Sequence, residues 1–324
     1  MSKRDLILES RAFEELLSYI ESRREIIEKK IQEEIQGYEE EIAEIARYIV
    51  YGGKRLRGVL TLLISEALGG SVERALDASI AIEMVHSASL ALDDIIDRDL
   101  FRRGRPASWI RFGLASTVLV SNFLIPKAQL MIRVYGFDAL VNVIQAWFQA
   151  TLGEILDVFG RLDVPASEYE RIIDLKTGSV FKMAAYLGAK AASQSESIVK
   201  IAVEYGELLG RLYQIADDTT DLLSRDSSKI ESKSIKLFLK WLECSEREID
   251  LALERASEKI IHYINRASRK AVEFPENPHK KKLVIFPMVM IYALFRELGD
   301  AGVEFYYQKI FPRIESGLKN LLSE

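Results

Sequence analysis

Nowhere in its 324 residues does this sequence sustain the strict apolar–polar alternation that a half-buried strand needs. Apolar residues instead recur three and four apart, between Glu, Lys and Arg, over most of its length. Glycine (18) and proline (7) are too few to punctuate a chain of many short strands, so an all-β architecture is excluded. With 48% hydrophobic and 29% charged residues, there is enough apolar material for a sizeable core. The reading is one all-α domain over residues 1–324, a barrel or bundle of about ten to twelve helices.

The breaks come from the sequence itself. A helical pattern runs from Leu6 to about Tyr51 and stops at Gly52-Gly53. Val59–Leu68 ends at Gly69-Gly70, and Val72–Asp99 contains neither Gly nor Pro. A basic turn, Phe101 to Pro106, follows. Further helical patterns cover about 117–135, 138–160, 168–193 and 197–223. The polar stretch Ser224–Ser234 reads as a loop, and helices follow at about 235–242, 245–269, 281–299 and 303–322.

Several function classes drop out. The net charge is −5 and the pI about 5.6, which leaves no basic footprint for nucleic acid. One cysteine, Cys244, cannot close an internal disulfide, which suits a reducing cytoplasm. Met1–Arg11 lacks the apolar run of a signal peptide. The most lipid-like window, Phe112–Ile132, carries six polar residues and Pro126, and reads as a core helix. Zinc-protease, serine-esterase and P-loop patterns are absent.

Two acidic clusters carry the chemistry. Asp93-Asp94-Ile95-Ile96-Asp97 and Asp217-Asp218-Thr219-Thr220-Asp221 share the spacing D-D-x-x-D inside helical, apolar surroundings. On a helix, steps of three and four crowd all three carboxylates onto one face, where like charges repel. Cations relieve that repulsion, and hard carboxylate oxygens on adjacent turns suit Mg²⁺, which completes its octahedron with water and phosphate oxygens. A polyphosphate ligand calls for nearby cations. Gly52-Gly53-Lys54-Arg55-Leu56-Arg57 offers three on a pliable backbone, Arg102-Arg103-Gly104 follows the first cluster, and Lys176-Thr177-Gly178 lies between the two. His86, seven residues before Asp93, falls on the same side of its helix.

These blocks, with Glu83-Met84-Val85-His86, Lys176 to Phe181 and Tyr213 to Asp221, resemble the trans-isoprenyl diphosphate synthases, in family order over residues 52–221. The resemblance implies helices around a deep central cavity (the isoprenoid synthase fold), usually as a homodimer in the cytoplasm. It implies about three Mg²⁺ ions held by Asp93, Asp94, Asp97, Asp217, Asp218 and Asp221. By the same analogy Lys54, Arg57, His86 and Arg103 bind the diphosphate of isopentenyl diphosphate. Arg102 and Lys176 contact the diphosphate of an allylic primer, and Thr177 and Gln214 lie beside the reacting carbons. A further lysine falls at Lys229 or Lys233, with Lys233 preferred.

Leu92, Gly58, Trp109, Ser121-Asn122 and Glu154 depart from the commonest family pattern, and the stretch from His86 to Leu92 resembles an archaeal branch that includes hexaprenyl diphosphate synthase. Ala81, Val85, Ala88 and Ser89 form a small-residue stripe on the helix leading to Asp93. At about 1.5 Å per residue, Asp93 to Ala81 spans about 18 Å, room for several isoprene units. The expected product is therefore longer than geranylgeranyl, with hexaprenyl diphosphate foremost and geranylgeranyl or geranylfarnesyl diphosphate as alternatives. So apolar a product would pass to a membrane. A non-catalytic regulatory subunit of a heteromeric synthase is the alternative from another class.

Overall fold

Capping and periodicity turn the sequence pattern into helices over nearly the whole of residues 10–323, which the computed structural model describes. Ser71 accepts from the Arg74 amide at the start of one long helix, and Ser232 accepts from the Ile235 amide at another. The expected helix start at Leu6 lies outside the described residues.

The chain divides into two compact units. The first comprises Ser18–Ile144 with Leu187–Gln194, and the second includes Gln145–Tyr186 and the described chain after Gln194. The first unit is built mainly from α1 (Ser10–Gln36), α2 (Glu40–Val50), α3 (Leu56–Ala67), α4 (Val72–Ile96), α5 (Ser108–Phe112) and α6 (Leu114–Met131). Helix α4 is its centre and packs on α6, α3 and α2. A two-residue ladder, β1 (Phe101–Arg102) against β2 (Arg105–Pro106), is the only strand pairing among the described residues. Helix α7 (Phe137–Phe159) contributes to both units.

The second unit adds α8 (Ser167–Ile173), most of α9 (Ser179–Ala191), α10 (Glu196–Ser224), α11 (Ser227–Ile230) and α12 (Lys233–Trp241). It continues through α13 (Ile249–Val272), α14 (Lys280–Phe295), α15 (Asp300–Phe305) and α16 (Phe311–Ser323). Here α10 packs on α13 and α14, and α12 on α8. The fold is all-α, as the periodicity requires.

Four expectations change in detail. The segment expected to run unbroken to Tyr51 is two helices, because Gly37 opens a turn and Glu39 is extended ahead of α2. The 168–193 segment is two helices joined by a turn of π-helix, Asp174–Gly178. Ser224–Ser234 contains a single helical turn, α11. The helix expected from about 245 starts at Ile249, after a turn in which the Glu248 amide donates to the Ser245 carbonyl. By length and composition alone, Val72–Ile96 and Leu114–Tyr135 could each cross a membrane. The most apolar window of the first is 61% buried inside the protein, that of the second 39%.

The π-turn is held by a close backbone approach. A Cβ on Gly210 of α10 would lie 2.6 Å from the Gly178 Cα and 3.2 Å from the Thr177 carbonyl oxygen, so backbone and not a flexible side chain would have to move. Gly210→Ala is therefore expected to lose about 1–3 kcal/mol of stability. A lowered urea midpoint with unchanged helix content would show it; an unchanged midpoint would refute it.

Candidate active site

In both acidic clusters the carboxylates sit on the last turns of a helix. Asp93 and Asp94 belong to the end of α4, Asp97 is its C-cap, and no basic residue occupies that turn. Asp217, Asp218 and Asp221 lie over the last two turns of α10, ahead of its C-cap Arg225. A helix C-terminus carries partial negative charge, so acidic groups there are opposed by the dipole as well as by each other. What surrounds each cluster compensates for this.

At α4, compensation comes from the basic turn. Arg103 and Gly104 both have positive φ (52° and 70°), the geometry of a tight two-residue hairpin turn. The hairpin folds Arg102 back onto the acidic helix end, where its Nε donates to Asp94 Oδ1 at 2.7 Å. Burial pushes the Asp94 carboxyl upward, and Arg102 offsets part of that shift. Arg103 turns the other way and donates to the carbonyls of Tyr51 and, at 2.8 Å, Gly52. Gly53, at φ 101°, has the left-handed backbone that favours glycine, and a Cβ there would lie 2.8 Å from the Arg103 guanidinium. The glycine loop, the acidic helix end and the basic turn are thus one site within the first unit.

The arginines of the glycine loop have different fates. Arg55, in left-handed backbone at the start of α3, is 2% exposed. It donates to Glu28 at 2.8 and 3.1 Å and to the Ser87 hydroxyl, and lies 3.6 Å from Glu83. Glu83 in turn accepts from the Gly58 amide at 2.7 Å. Of the three cations expected to face an anion, Arg55 is therefore spent inside the fold, where it braces the loop. Arg57 Nη1 lies 3.0 Å from His86 Nε2. Arginine only donates, so His86 Nε2 accepts and the imidazole is neutral with its proton on Nδ1. Burial, then Arg57 and Arg103, push His86 well below its ordinary range.

In the second unit a hydrogen-bonded chain leads to α10. Thr177 donates to Gln214 Oε1 at 2.6 Å, and Gln214 Nε2 donates to Asp218 Oδ1 at 2.9 Å. The buried Tyr169 hydroxyl donates to Asp218 Oδ2 at 2.6 Å. Burial pushes the Asp218 carboxyl well above the usual range, with Asp217 and Asp221 adding to it and both hydrogen bonds opposing it. Lys176 Nζ lies 2.7 Å from Glu154 and 2.8 Å from Asp157. Burial alone would weaken its hold on the proton, but these two carboxylates reverse that and keep it charged. Lys229 pairs with Asp221 at 2.5 Å, whereas Lys233 donates to the Leu156 and Asp157 carbonyls at the end of α7. The two candidates for the further lysine thus rest on different acceptors, Lys229 on a carboxylate of the second cluster and Lys233 on the end of α7.

Tyr169, Glu154, Asp157, Glu28 and Glu83 were not singled out as site residues from the sequence. A tyrosine or glutamate in an amphipathic helix carries no signal of its own; only Gly153-x-x-x-Asp157 offered one. Along α4, Ala81 and Ala88 are buried, while Val85 and Ser89 are half-buried. The Ser89 hydroxyl donates to the His86 carbonyl.

The chain is similar to known proteins over most of its length. The Polyprenyl synthetase family model matches residues 39–235. A hexaprenyl pyrophosphate synthase from Saccharolobus solfataricus is 37% identical over 199 residues, covering 61% of this chain and 69% of that protein. A geranylfarnesyl diphosphate synthase from Methanosarcina mazei is 33% identical over 238 residues, covering 72% and 79%. The structure of a geranylgeranyl pyrophosphate synthetase from Geoglobus acetivorans superposes with a TM-score of 0.75 at 31% identity, covering 84% of this chain and 99% of that one.

The Arg57–His86 pair makes a pH-dependent contribution to stability. An imidazole held neutral has a lowered folded-state pKa, so its contribution is present above the unfolded value of about 6.5 and is lost as pH falls below it. His86→Gln, which keeps a neutral acceptor, is expected to flatten this loss between about pH 6.5 and 5. Parallel stability–pH curves for variant and parent would refute it.

Proposed function

From the premise that this chain belongs to the polyprenyl synthetase family, we propose that it condenses isopentenyl diphosphate with an allylic diphosphate, in repeated trans additions that each release diphosphate. One observation carries the reading: two D-D-x-x-D clusters stand at negative helix ends, each tied to the cations and donors an ionising diphosphate needs. Tied in the same way, a regulatory subunit's clusters would have no use.

The carboxylates fit Mg²⁺. Their oxygens are hard donors on adjacent turns, the kind Mg²⁺ takes while it completes its shell with diphosphate oxygens and water. Asp93, Asp94 and Asp97 would hold it at α4, and Asp217, Asp218 and Asp221 at α10. Bound there, Mg²⁺ would supply positive charge to offset that of the allylic diphosphate.

The protein's own groups do the rest. Arg102 and Lys176 bind the allylic diphosphate and stabilise charge that grows on it as it leaves. Lys54, Arg57 and Arg103 hold the diphosphate of isopentenyl diphosphate, with neutral His86 orienting Arg57, so that its double bond meets the allylic carbon. Thr177 and Gln214 fix the polar edge beside that carbon. Apolar surroundings keep water from the cation. The half-buried Val85–Ser89 side of α4 lines the growing chain, which favours a product beyond twenty carbons, hexaprenyl diphosphate foremost.

A homodimer in the cytoplasm, handing product to a membrane, completes the reading. Helix α6 leaves Leu119, Phe123 and Leu130 exposed, and α7 leaves Phe137, Ile144, Phe148, Ile155 and Phe159 exposed at alternating steps of seven and four. The resulting 11-residue repeat makes a nearly straight apolar stripe, which a second copy would cover.

Purified protein given isopentenyl diphosphate, an allylic primer series and Mg²⁺ is expected to make chains of about thirty carbons, and none with chelator. Products stopping at twenty carbons would overturn the long-chain reading alone; inactivity would overturn the enzyme. Ala88→Phe is expected to shorten the product, and an unchanged length would remove α4 as the ruler. Light scattering is expected to give twice the 36.8 kDa chain mass, falling to one chain in Phe148→Glu. A monomeric parent would refute the dimer.

A further inference from the structure

Lys176 is held in an unusual way. Its backbone lies in the π-turn Asp174–Gly178, pressed against α7 so closely that a Cβ on Gly153 would fall 2.5 Å from the Lys176 amide nitrogen and 2.8 Å from its Cα. Single π-turns of this kind concentrate at functional sites. The next residue, Glu154, and Asp157 one turn on then take the ammonium group from the same helix face, at 2.7 and 2.8 Å. The side chains of both acids are mostly buried (16% and 12% exposed), and Asp157 is itself pinned by the Ser234 hydroxyl at 2.7 Å.

We infer that Gly153, Glu154 and Asp157 form a clamp that presets Lys176 as a directional ligand for the allylic diphosphate, with Glu154 as its positioning residue. The inference rests on the function proposed above. A lysine ammonium has three donors. Two are committed to fixed, buried acceptors on a rigid helix, so the third can point only one way. A free lysine would have to give up most of its rotamer freedom when diphosphate binds; here that freedom is already gone in the unliganded protein. Because both acceptors are charged, the ammonium also remains protonated in a half-buried place, so no proton need be taken up before it meets the anion. Glu154 acts through its geometry: what matters is an acceptor at that spot, since Asp157 already supplies a negative partner.

Steady-state kinetics of the whole protein test this, with Glu154→Ala beside Glu154→Gln. The alanine variant, which frees one of the three donor directions, is expected to lose about tenfold or more in kcat/KM for the allylic primer. KM for isopentenyl diphosphate is expected to stay unchanged. The glutamine variant, whose amide oxygen still accepts, is expected to recover most of that loss. Binding of a thiolo analogue of the allylic primer, in which sulfur replaces the bridging oxygen, is expected to follow the same order by calorimetry. Equal allylic kinetics in parent and alanine variant would overturn the clamp. So would a glutamine variant as impaired as alanine, which would make charge the operative property. A fall in both substrates' KM terms alike would mark a merely structural role and overturn it too. Failure of the function itself is separate, since it would show as a parent protein with no prenyl transfer at all.

Discussion

Carboxylates at the negative ends of helices are the constraint around which each unit is arranged. A charge at the wrong helix terminus costs about 0.3–1 kcal/mol, and neighbouring like charges at helical spacing cost a few tenths more. Helix α4 bears the terminal cost at Asp93, Asp94 and Asp97 and α10 at Asp221, and like-charge repulsion is added within both clusters. The two helices can do so because their other faces are among the best buried in the molecule, with residues such as Ala78, Ile80 and Met84 on α4 and Leu209, Leu212 and Ile215 on α10 at 0% exposure. Apolar burial at about 25 cal/mol per Å² readily outweighs such electrostatic penalties. The stability of each helix thus resides in its packed length, and its last turns are left free to be chemically demanding.

The basic side shows that residue type and residue role are separate matters. Arg55 and Arg57 are two positions apart in one loop, yet the first is a structural tie between Glu28 and Glu83 and the second contacts His86. The left-handed backbone at Arg55 turns its side chain inward, toward the half-buried Glu28 and the buried Glu83, which come from helices far apart in sequence. A buried pair of this kind is costly to break from one side, because it would leave an unpaired charge in place. That rigidity is useful in a loop whose remaining cations must meet an anion at a fixed position.

These cases also explain what could be read in advance. The all-α class, the breaks at Gly52-Gly53 and Gly69-Gly70, and both acidic clusters are local, being spelled out by periodicity, glycine and spacing. The Gly37 break was missed because a single glycine in a strong helical pattern carries little weight until its neighbours are seen to leave helical backbone. The π-turn at Lys176 depends on Gly153 and Gly210, which lie on two other helices, and no local pattern encodes it. Lys229 and Lys233 differ only in which acceptor lies within reach, Asp221 or the end of α7. Tyr169 was invisible for the same reason: its partner, Asp218, is 49 residues away.

One regularity joins the two halves of the chemistry. Arg102 rests on Asp94, Lys176 on Glu154 and Asp157, and Lys229 on Asp221. Each of these cations has a carboxylate partner within its own unit before any anion arrives. Under the function proposed above, Arg102 and Lys229 would exchange a carboxylate for phosphate as the diphosphate binds, while Lys176 would keep both of its acids and offer its third donor. Such an exchange creates little net charge and spares the protein a concentration of bare cations in a partly buried place, which desolvation would penalise. A further advantage would fall on the moment when charge builds on the departing diphosphate, where donors already fixed in direction need no reorganisation. In the proposed reaction, preset cations with carboxylate partners would therefore serve ionisation as well as capture.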